Sequence, residues 1–231
     1  MNRVTIEKNV LSENDRIAQR LRDALTGTGT LALNFIGSPG AGKTAFLEKT
    51  LERLPAHTRA AVVTGDLQTQ NDAIRLQRYG FPVRQITTVG ACHLDARMVE
   101  NHITDWLEEG IEILFIENVG NLVCPTSYDL GEDAKIVILS CAEGEDKPLK
   151  YPGIFRKSEL MILNKTDLLP YVPFQSEAAL TNARSVNPNI EIIQTSCITG
   201  AGFDQWMSWL DRRAARKKAS ARPLAGANVS S

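Results

Sequence analysis

The sequence predicts a three-layer α/β protein in which a mostly parallel sheet of about seven strands lies between helices, with one further helix before the first strand. Apolar runs rich in Val, Ile and Leu recur along the chain, and stretches with helical spacing separate them. Strands of this kind are typical of a parallel sheet covered on both faces. The 231 residues, of which 43% are hydrophobic, can build a sizeable core.

The first predicted element is an amphipathic helix over residues 1–28. Ile17, Leu21 and Leu25 recur at a spacing of four, which places them on one face. Ser12 precedes a short acidic run and is a plausible N-cap for this face. A Thr-Gly-Thr-Gly run that begins just after Leu25 is expected to end the helix.

Strands and helices are then expected to alternate to the end of the domain. The strands are predicted at residues 31–36, 60–65, 83–88, 111–117, 135–140, 159–164 and 190–195. The third of these has the weakest pattern. The helices are predicted at residues 44–54, 70–79, 95–109, 173–186 and 202–217. The expected division is an N-terminal helix (1–28), a main domain (29–214) and a flexible basic tail (215–231).

The charge balance excludes several classes of protein. Twenty-six Lys and Arg against 27 Asp and Glu give a net charge of −1, which provides no global field for nucleic acid or an anionic membrane. The first residues are charged and do not resemble a secretory signal. The uncharged stretch over residues 25–41 contains several glycines and a proline and is not expected to span a bilayer. A cytoplasmic location is therefore expected.

Residues 37–44 fit the phosphate-binding loop GxxxxGK[ST] and lie between a predicted strand and a predicted helix. Glycines let backbone N–H groups wrap a phosphate, and the helix N-terminus adds its positive end. Lys43 is expected to reach the β- and γ-phosphates and Thr44 to bind Mg²⁺. A glycine-rich turn with an accidental lysine is the alternative, and the strand-loop-helix context argues against it. The predicted nucleotide-binding residues here are Gly37, Ser38, Pro39, Gly40, Ala41, Gly42, Lys43, Thr44 and Ala45.

A second motif predicts that the nucleotide is GTP and the fold that of a P-loop NTPase. The run from Asn164 through Lys165 to Asp167 ends a predicted strand and fits the NKxD guanine box. The carboxylate of Asp167 can accept hydrogen bonds from guanine N1–H and the 2-amino group, whereas adenine would leave it unpaired. Ser196 and Cys197 follow the next strand, and their backbone is expected to touch the base. Cys197 could instead be a small packed residue.

Acidic residues at two other strand ends complete a predicted magnesium site. Glu117 has the acid-x-x-Gly spacing with Gly120, whose N–H is expected to sense the γ-phosphate. Asp66 ends the second strand and is the candidate to hold Mg²⁺ or to orient the attacking water. Either acid could instead cap a helix. The predicted magnesium ligands are Thr44, Asp66 and Glu117, and the predicted catalytic residues are Lys43, Asp66 and Gly120.

Soft ligands form a second predicted site. Cys92, His93 and Cys124 carry thiolate and imidazole groups, which suit zinc or nickel. Adjacent residues on a strand point to opposite faces, so Cys92 and His93 must lie in a turn, or a twofold dimer must share the site. Asp95 is a possible further ligand, and packed cysteines beside a stray histidine are the alternative. Cys124 lies four residues after Gly120, so a loop that moves on hydrolysis would move a metal ligand.

Six segments, in order, resemble the HypB family of hydrogenase nickel incorporation GTPases: GSPGAGKT, GDLQTQNDA, ACHLDA, ENVGNLVCP, EDKPLKYP and NKTDLLPYV. The resemblance covers nearly the whole chain. It implies a GTPase that forms a homodimer with nucleotide at or near the interface and delivers nickel. The implied partners are a HypA-type nickel chaperone, in some bacteria SlyD, and the hydrogenase large-subunit precursor.

The resemblance also assigns residues. It implies that Cys92, His93 and Cys124 form a metal site at the dimer interface, and that Lys147 and Lys150 approach nucleotide or partner across the dimer. A solvated lysine pair is the alternative for the last two. The sequence has no cysteine before Cys92, so the N-terminal CxxCGC-type nickel motif of some members is expected to be absent.

The expected function is therefore that of a GTP-hydrolysing nickel metallochaperone with Mg²⁺ as cofactor and Zn²⁺ as a competing ion. Hydrolysis is expected to be slow because the sequence shows no obvious catalytic arginine. A urease-type metallochaperone is one alternative, but that class uses Cys-Pro-His, whereas Cys124 and Pro125 are followed here by Thr126. A GTP-dependent binding switch without a metal role is the other.

Overall fold

The computed structural model describes residues 3–66, 71–88 and 90–221. Its seven strands form one sheet in the order β3-β2-β4-β1-β5-β6-β7, and all neighbouring strands are parallel. The strands are β1 (Leu31–Gly37), β2 (Ala60–Asp66), β3 (Val83–Thr87), β4 (Ile113–Glu117), β5 (Ala134–Ser140), β6 (Leu160–Asn164) and β7 (Glu191–Gln194). The predicted fold is confirmed, including the weak third strand.

The helices include every one that the sequence predicts and two further short ones. They are α1 (Arg3–Thr28), α2 (Lys43–Arg53), α3 (Asn71–Gln77), α4 (Ala96–Glu108), α5 (Lys147–Lys150), α6 (Pro152–Lys157), α7 (Ser176–Val186) and α8 (Phe203–Ser220). Two 3₁₀ turns span Cys124–Thr126 and Thr166–Tyr171. Helices α5 and α6 have four and six residues, too few to show a helical period, and each carries proline in its first turn.

The sheet is buried because helices cover both of its faces. Strand β1 is buried along its whole length. On one face Phe35 packs against Phe46 of α2 and Trp206 of α8, with ring centroids 5.9 and 6.0 Å away. On the other face Leu21 and Leu25 of α1 are buried in a second apolar cluster. Burying each such side chain contributes about 1.5–3 kcal/mol, so these contacts fix the strand ends that carry the polar loops.

Helix α1 does not begin where the sequence suggested. It runs through Ser12 without a break, and the Ser12 hydroxyl donates to the Asn9 carbonyl at 3.0 Å, as a serine inside a helix does. The predicted N-cap at Ser12 is therefore wrong. The helix is held to the domain by buried Asn14, which donates to Asp129 O and accepts from Ala96 N, both at 2.9 Å.

Helix α8 continues past the expected domain end at residue 214. Buried Lys217 donates to Asp133 Oδ1 at 2.7 Å and to Thr26 Oγ1 at 3.0 Å, which anchors the last turns of α8 to the residue before β5 and to α1. Residues 215–220 are thus part of the packed fold rather than of a flexible tail, and residues 222–231 lie outside the described part. No helix among the described residues has the length and apolar character needed to cross a bilayer.

Parallel strands bring the predicted site residues to one edge of the sheet. The loops after β1, β2, β4, β6 and β7 all leave from the carboxyl ends of their strands, where ligands bind in open α/β sheets. Glu117 pairs with Phe35 of β1 on one side and with Thr64 of β2 on the other. The acidic end of β4 therefore lies between the P-loop and Asp66.

Candidate functional site

The phosphate-binding loop joins β1 to α2. Gly40 and Gly42 adopt φ of +77° and +95°, a left-handed conformation that glycine reaches without strain. The Lys43 ammonium folds back onto the loop and donates to Gly37 O at 3.3 Å and Ser38 O at 3.4 Å. Burial lowers the pKa of Lys43. The lysine is thus held over the loop that would receive a phosphate.

Two of the predicted magnesium ligands lie together between α2 and β4. Thr44 Oγ1 donates to Glu117 Oε1 at 2.7 Å. Glu117 is buried, and burial raises its pKa to about 7. Its Oε2 atom is buried and makes no hydrogen bond within the described part of the chain. A hard cation that prefers oxygen ligands would satisfy this atom, so the residues present fit Mg²⁺.

A cleft of about 420 Å³ lies beside this pair. Asp66 and Gly120 line it, as their predicted roles require. A Cβ added to Gly120 would come within 3.1 Å of the Pro39 backbone, so the loop after β4 lies directly against the P-loop and a larger residue there would require Pro39 to shift by a few tenths of an ångström. Residues 67–70 of the GDLQTQNDA segment lie outside the described residues.

Two residues of α3 that the sequence analysis did not single out also line the cleft. Arg75 binds Glu48 through two of its nitrogens, with the Nε–Oε1 distance 3.1 Å, and its Nη1 lies 3.4 Å from Asp72 Oδ1. Arg75 thus lies on the cleft wall, and the expectation of slow hydrolysis without a catalytic arginine stays a prediction. Asp72 and Arg75 are one helical turn apart just after Asp66, but that spacing is ordinary for a surface helix.

Residues of the predicted guanine box form hydrogen bonds with the P-loop. Asn164 Nδ2 donates to Ala41 O at 3.2 Å, and Lys165 Nζ donates to Gly40 O at 2.7 Å. Lys165 has φ of +63°, and it is the one non-glycine residue with positive φ among the described residues. A Cβ at Gly42 would lie 2.5 Å from Asn164 Nδ2, so the third P-loop glycine permits this close approach.

The loop after β7 reaches the same box through its side chains. Ser196 Oγ donates to Asp167 Oδ1 at 2.6 Å, a contact that orients the carboxylate and that the sequence analysis did not foresee. Cys197 Sγ donates to Asn164 Oδ1 at 3.5 Å. Burial raises the pKa of Cys197 to about 11, so it stays a thiol near neutral pH. Both residues therefore contact the Asn164–Asp167 segment, and the contact of their backbone with the base stays a prediction.

The three soft ligands come together within one chain. Ligand atoms of Cys92, His93 and Cys124 all lie within 4.8 Å of one another, and the Cys92 Sγ–His93 Nδ1 distance is 3.7 Å. A bend between β3 and α4 lets both neighbours face Cys124, which is the first of the two alternatives that the sequence analysis left open. The His93 ring stacks on Tyr128 with centroids 3.7 Å apart. Hydrogen bonding with Cys124 raises the pKa of Cys92, and burial lowers that of His93.

Asp95 has a different role from the one proposed for it. Its Oδ1 accepts from Met98 N at 2.8 Å, so it caps α4, and it is not part of the cluster of ligand atoms.

The side chain of Asn121 holds the turn that carries Cys124. Asn121 Oδ1 accepts from Val123 N at 2.7 Å and from Cys124 N at 3.4 Å, which fixes the start of the 3₁₀ turn.

The two lysines of the KPLKYP segment differ in their surroundings. Lys147 donates to Ser38 Oγ of the P-loop at 3.0 Å and pairs with Glu143 at 3.1 Å. Lys150 is exposed and pairs with Asp146 at 2.6 Å. Lys147 thus contacts the phosphate-binding loop of its own chain, whereas Lys150 forms a surface ion pair.

Comparison with known proteins agrees with this geometry. Residues 31–194 match the family model described as CobW/HypB/UreG, nucleotide-binding domain. The hydrogenase maturation factor HypB of Escherichia coli K12 is 50% identical over 206 residues, which are 89% of this chain and 71% of that protein.

Two solved structures share both the fold and the sequence pattern. HypB from Archaeoglobus fulgidus has a TM-score of 0.83 and 37% identity, over 88% of this chain and 99% of that one. HypB from Helicobacter pylori, solved in complex with nickel, has a TM-score of 0.83 and 35% identity, over 93% of this chain and 100% of that one.

Proposed function

The chain belongs to the HypB family of hydrogenase maturation factors, and on that premise we propose that it is a GTP-hydrolysing nickel metallochaperone for [NiFe]-hydrogenase. One observation carries the proposal. Cys92, His93 and Cys124 have ligand atoms within 4.8 Å of one another, and one of the three, Cys124, lies on the loop that follows Glu117 at the end of β4. Nucleotide and metal ligands thus share one segment of chain.

The nucleotide half of the site supports GTP hydrolysis. The P-loop and Lys43 bind the phosphates, and Asp167 selects guanine. Thr44, Asp66 and Glu117 would hold Mg²⁺, which when bound would supply positive charge that offsets the charge developing on the phosphates. Asp66 orients the attacking water, and its place on the cleft wall supports this role.

The soft cluster supports a transfer role rather than a purely structural one. Three ligands leave room for a fourth, and an open position is what distinguishes a reactive metal site from a closed structural site. Nickel is the proposed cargo because a relative of this fold is solved in complex with nickel. Zinc competes for the same thiolates, since the affinity order alone does not select nickel.

The proposed cycle couples the two halves. GTP with Mg²⁺ favours a homodimer and orders the loops at Asp66 and Gly120. Hydrolysis is slow, relaxes the loop after Gly120 and releases nickel toward the large-subunit precursor, directly or through a HypA-type chaperone or SlyD. The near-neutral net charge supports a protein with no nucleic-acid or membrane partner, and a cytoplasmic location is part of the proposal.

Nickel stoichiometry and GTP turnover, measured on the same preparation, test this function. The purified protein is expected to hydrolyse GTP and to bind nickel, and Cys92→Ala is expected to lower nickel per chain while GTP affinity stays nearly intact. Cys141→Ala is the matched control, because the Cys141 thiol donates to Lys165 O at 2.7 Å and is not part of the ligand cluster. Equal loss of nickel and GTP binding in Cys92→Ala would show a structural role for that thiol. No bound nickel in the wild type would leave a nucleotide switch with packed cysteines.

A further inference from the structure

A buried amide lies between the magnesium site and the soft cluster. Asn118 follows Glu117 and is 1% exposed. Its Oδ1 accepts from Leu94 N at 3.2 Å and from Val119 N at 3.0 Å, and its Nδ2 donates to Asn34 Oδ1 at 3.2 Å. The amide therefore joins the end of β4 to the loop that carries the metal ligands and to the central strand β1.

The residue that Asn118 binds is the immediate neighbour of a metal ligand. Leu94 follows His93 and is completely buried. Its side chain packs on Gly65, where an added Cβ would lie 2.8–3.0 Å from three Leu94 atoms. Gly65 in turn precedes Asp66. The side chain of Leu94 thus contacts the end of β2, next to Asp66. Its backbone N–H binds Asn118, the residue after Glu117.

We propose that Asn118 is a positioning residue that couples the nucleotide cleft to the Cys92/His93/Cys124 site, a proposal that rests on the proposed function. Movement of β4 at Glu117 or of β2 at Asp66 displaces Leu94, and Leu94 carries His93 with it. Cys124 lies on a separate 3₁₀ turn, so this displacement changes the spacing of the ligands.

The hydrogen bond from Leu94 N–H to Asn118 Oδ1 is buried, so breaking it is costly. A buried N–H that loses its acceptor costs about 1–3 kcal/mol, so the bond to Leu94 persists while the strand end moves. A packed side chain and a hydrogen bond that move together are the contiguous elements through which two sites influence each other. Asn118 itself binds neither nucleotide nor nickel in this scheme.

The measurable quantity is the coupling factor between the two ligands. It is the ratio of the nickel Kd in the GDP-bound protein to that in the protein with a non-hydrolysable GTP analogue. Linkage requires that nickel change the relative affinity for the two nucleotides by the same factor, so the two arms check each other. Coupling between sites is typically about 5- to 150-fold, and a change within that range, in either direction, is expected for the wild type.

The test compares this factor among four proteins. Asn118→Ala removes the acceptor of Leu94 N–H and is expected to bring the factor close to 1. Asn118→Asp keeps an acceptor at that position and is expected to retain most of the factor. Asn187→Ala is the matched control, because Asn187 Nδ2 donates to Phe155 O at 3.1 Å and Ser158 O at 2.9 Å, away from both loops. The control is expected to keep the wild-type factor.

The outcomes distinguish a failure of this inference from a failure of the proposed function on which it rests. A wild-type factor in folded Asn118→Ala would overturn the inference alone. A factor of 1 in a wild type that binds nickel and hydrolyses GTP would overturn the inference together with the nucleotide-gated release in the proposed function, and would leave GTP hydrolysis and nickel binding standing. A wild type that binds no nickel or hydrolyses no GTP would overturn both. If Asn118→Ala does not fold, hydrogen exchange of the Leu94 amide in the wild type decides. Exchange that differs between the GDP and analogue states supports the coupling, and identical exchange overturns it.

Discussion

Thr44 Oγ1 donates to Glu117 Oε1 at 2.7 Å, which ties the first turn of α2 to the carboxyl end of β4. Both residues stand on elements of the buried sheet and its covering helices, so the fold sets their distance. The second carboxylate oxygen of Glu117 is buried and makes no hydrogen bond within the described chain. The pair therefore offers a magnesium ion a hydroxyl and a carboxylate that are already in place.

Glu117→Gln keeps an acceptor for Thr44 and removes the charge that would face Mg²⁺. We expect the Mg²⁺ concentration for half-maximal GTP hydrolysis to rise about ten- to hundredfold, the scale of losing one charged interaction of ~1.5–3 kcal/mol. Glu112→Gln is the matched control, because Glu112 stands just before the opposite end of β4 and pairs with exposed Lys218. An unchanged magnesium requirement in Glu117→Gln would remove this residue from the ion's surroundings.

Ser196→Ala tests how the guanine carboxylate is positioned. The hydroxyl donates to Asp167 at 2.6 Å, and losing a hydrogen bond to a charged group is expected to weaken GDP and GTP binding about tenfold or more. Weak ATP binding should stay weak, because only the orientation of the carboxylate changes. Ser185→Ala, which removes an exposed hydroxyl bonded to Asn182 O, serves as control in the same titration. Equal affinities of wild type and Ser196→Ala would show that Asp167 needs no support.

Arg75→Ala tests the cation that the sequence analysis overlooked. The guanidinium lies on the wall of the nucleotide cleft and is held by Glu48. Removing one donor from a site where phosphate charge develops typically costs about 10²-fold in turnover. We expect single-turnover GTP hydrolysis to fall by about that factor, with a smaller change in GDP affinity. Arg78→Ala, which alters an exposed arginine just beyond α3, should hydrolyse GTP at the wild-type rate. A normal rate in Arg75→Ala would make this arginine structural.

Lys217→Met tests whether residues beyond 214 belong to the fold. The substitution leaves Asp133 and Thr26 without their buried partner, and we expect it to lower the free energy of unfolding by about 1–3 kcal/mol. Lys218→Met, which changes a side chain that is 77% exposed, should cost less than about 1 kcal/mol. Chemical denaturation of both variants gives the comparison. Equal stability of the two would mean that the end of α8 contributes nothing to the domain.

The fold could be predicted from the sequence because apolar residues recur with a different spacing in strands and in helices. Each apolar run that was predicted as a strand is a strand of the sheet. The strand ends followed from that pattern, and they bring Glu117 and Asp66 to one cleft. The predicted N-cap at Ser12 was wrong because serine is common at helix N-caps and also occurs inside helices, where its hydroxyl binds a backbone carbonyl of the preceding turn. Helices α5 and α6 were missed because helices of four and six residues show no period.

Side-chain partners were the least predictable part of the site. Asp95 caps α4, and nothing in its sequence neighbourhood separates a cap from a metal ligand. Arg75 reaches the cleft only because α3 packs beside α2, a relation between elements that local sequence does not encode. Lys217 is buried by contacts with Thr26 and Asp133, each more than 80 positions away. Such residues become recognisable only when distant segments are brought together.

Sedimentation tests nucleotide-gated nickel transfer, the central claim, most directly. The purified protein is sedimented with nickel, once with GDP and once with a non-hydrolysable GTP analogue, and the metal content is measured in each peak. Nucleotide-gated nickel transfer predicts a dimer that is gained with the analogue, and nickel per chain that differs between the two states and is lost in Cys92→Ala. A single assembly state in both nucleotides, with the same nickel content or none, would contradict it.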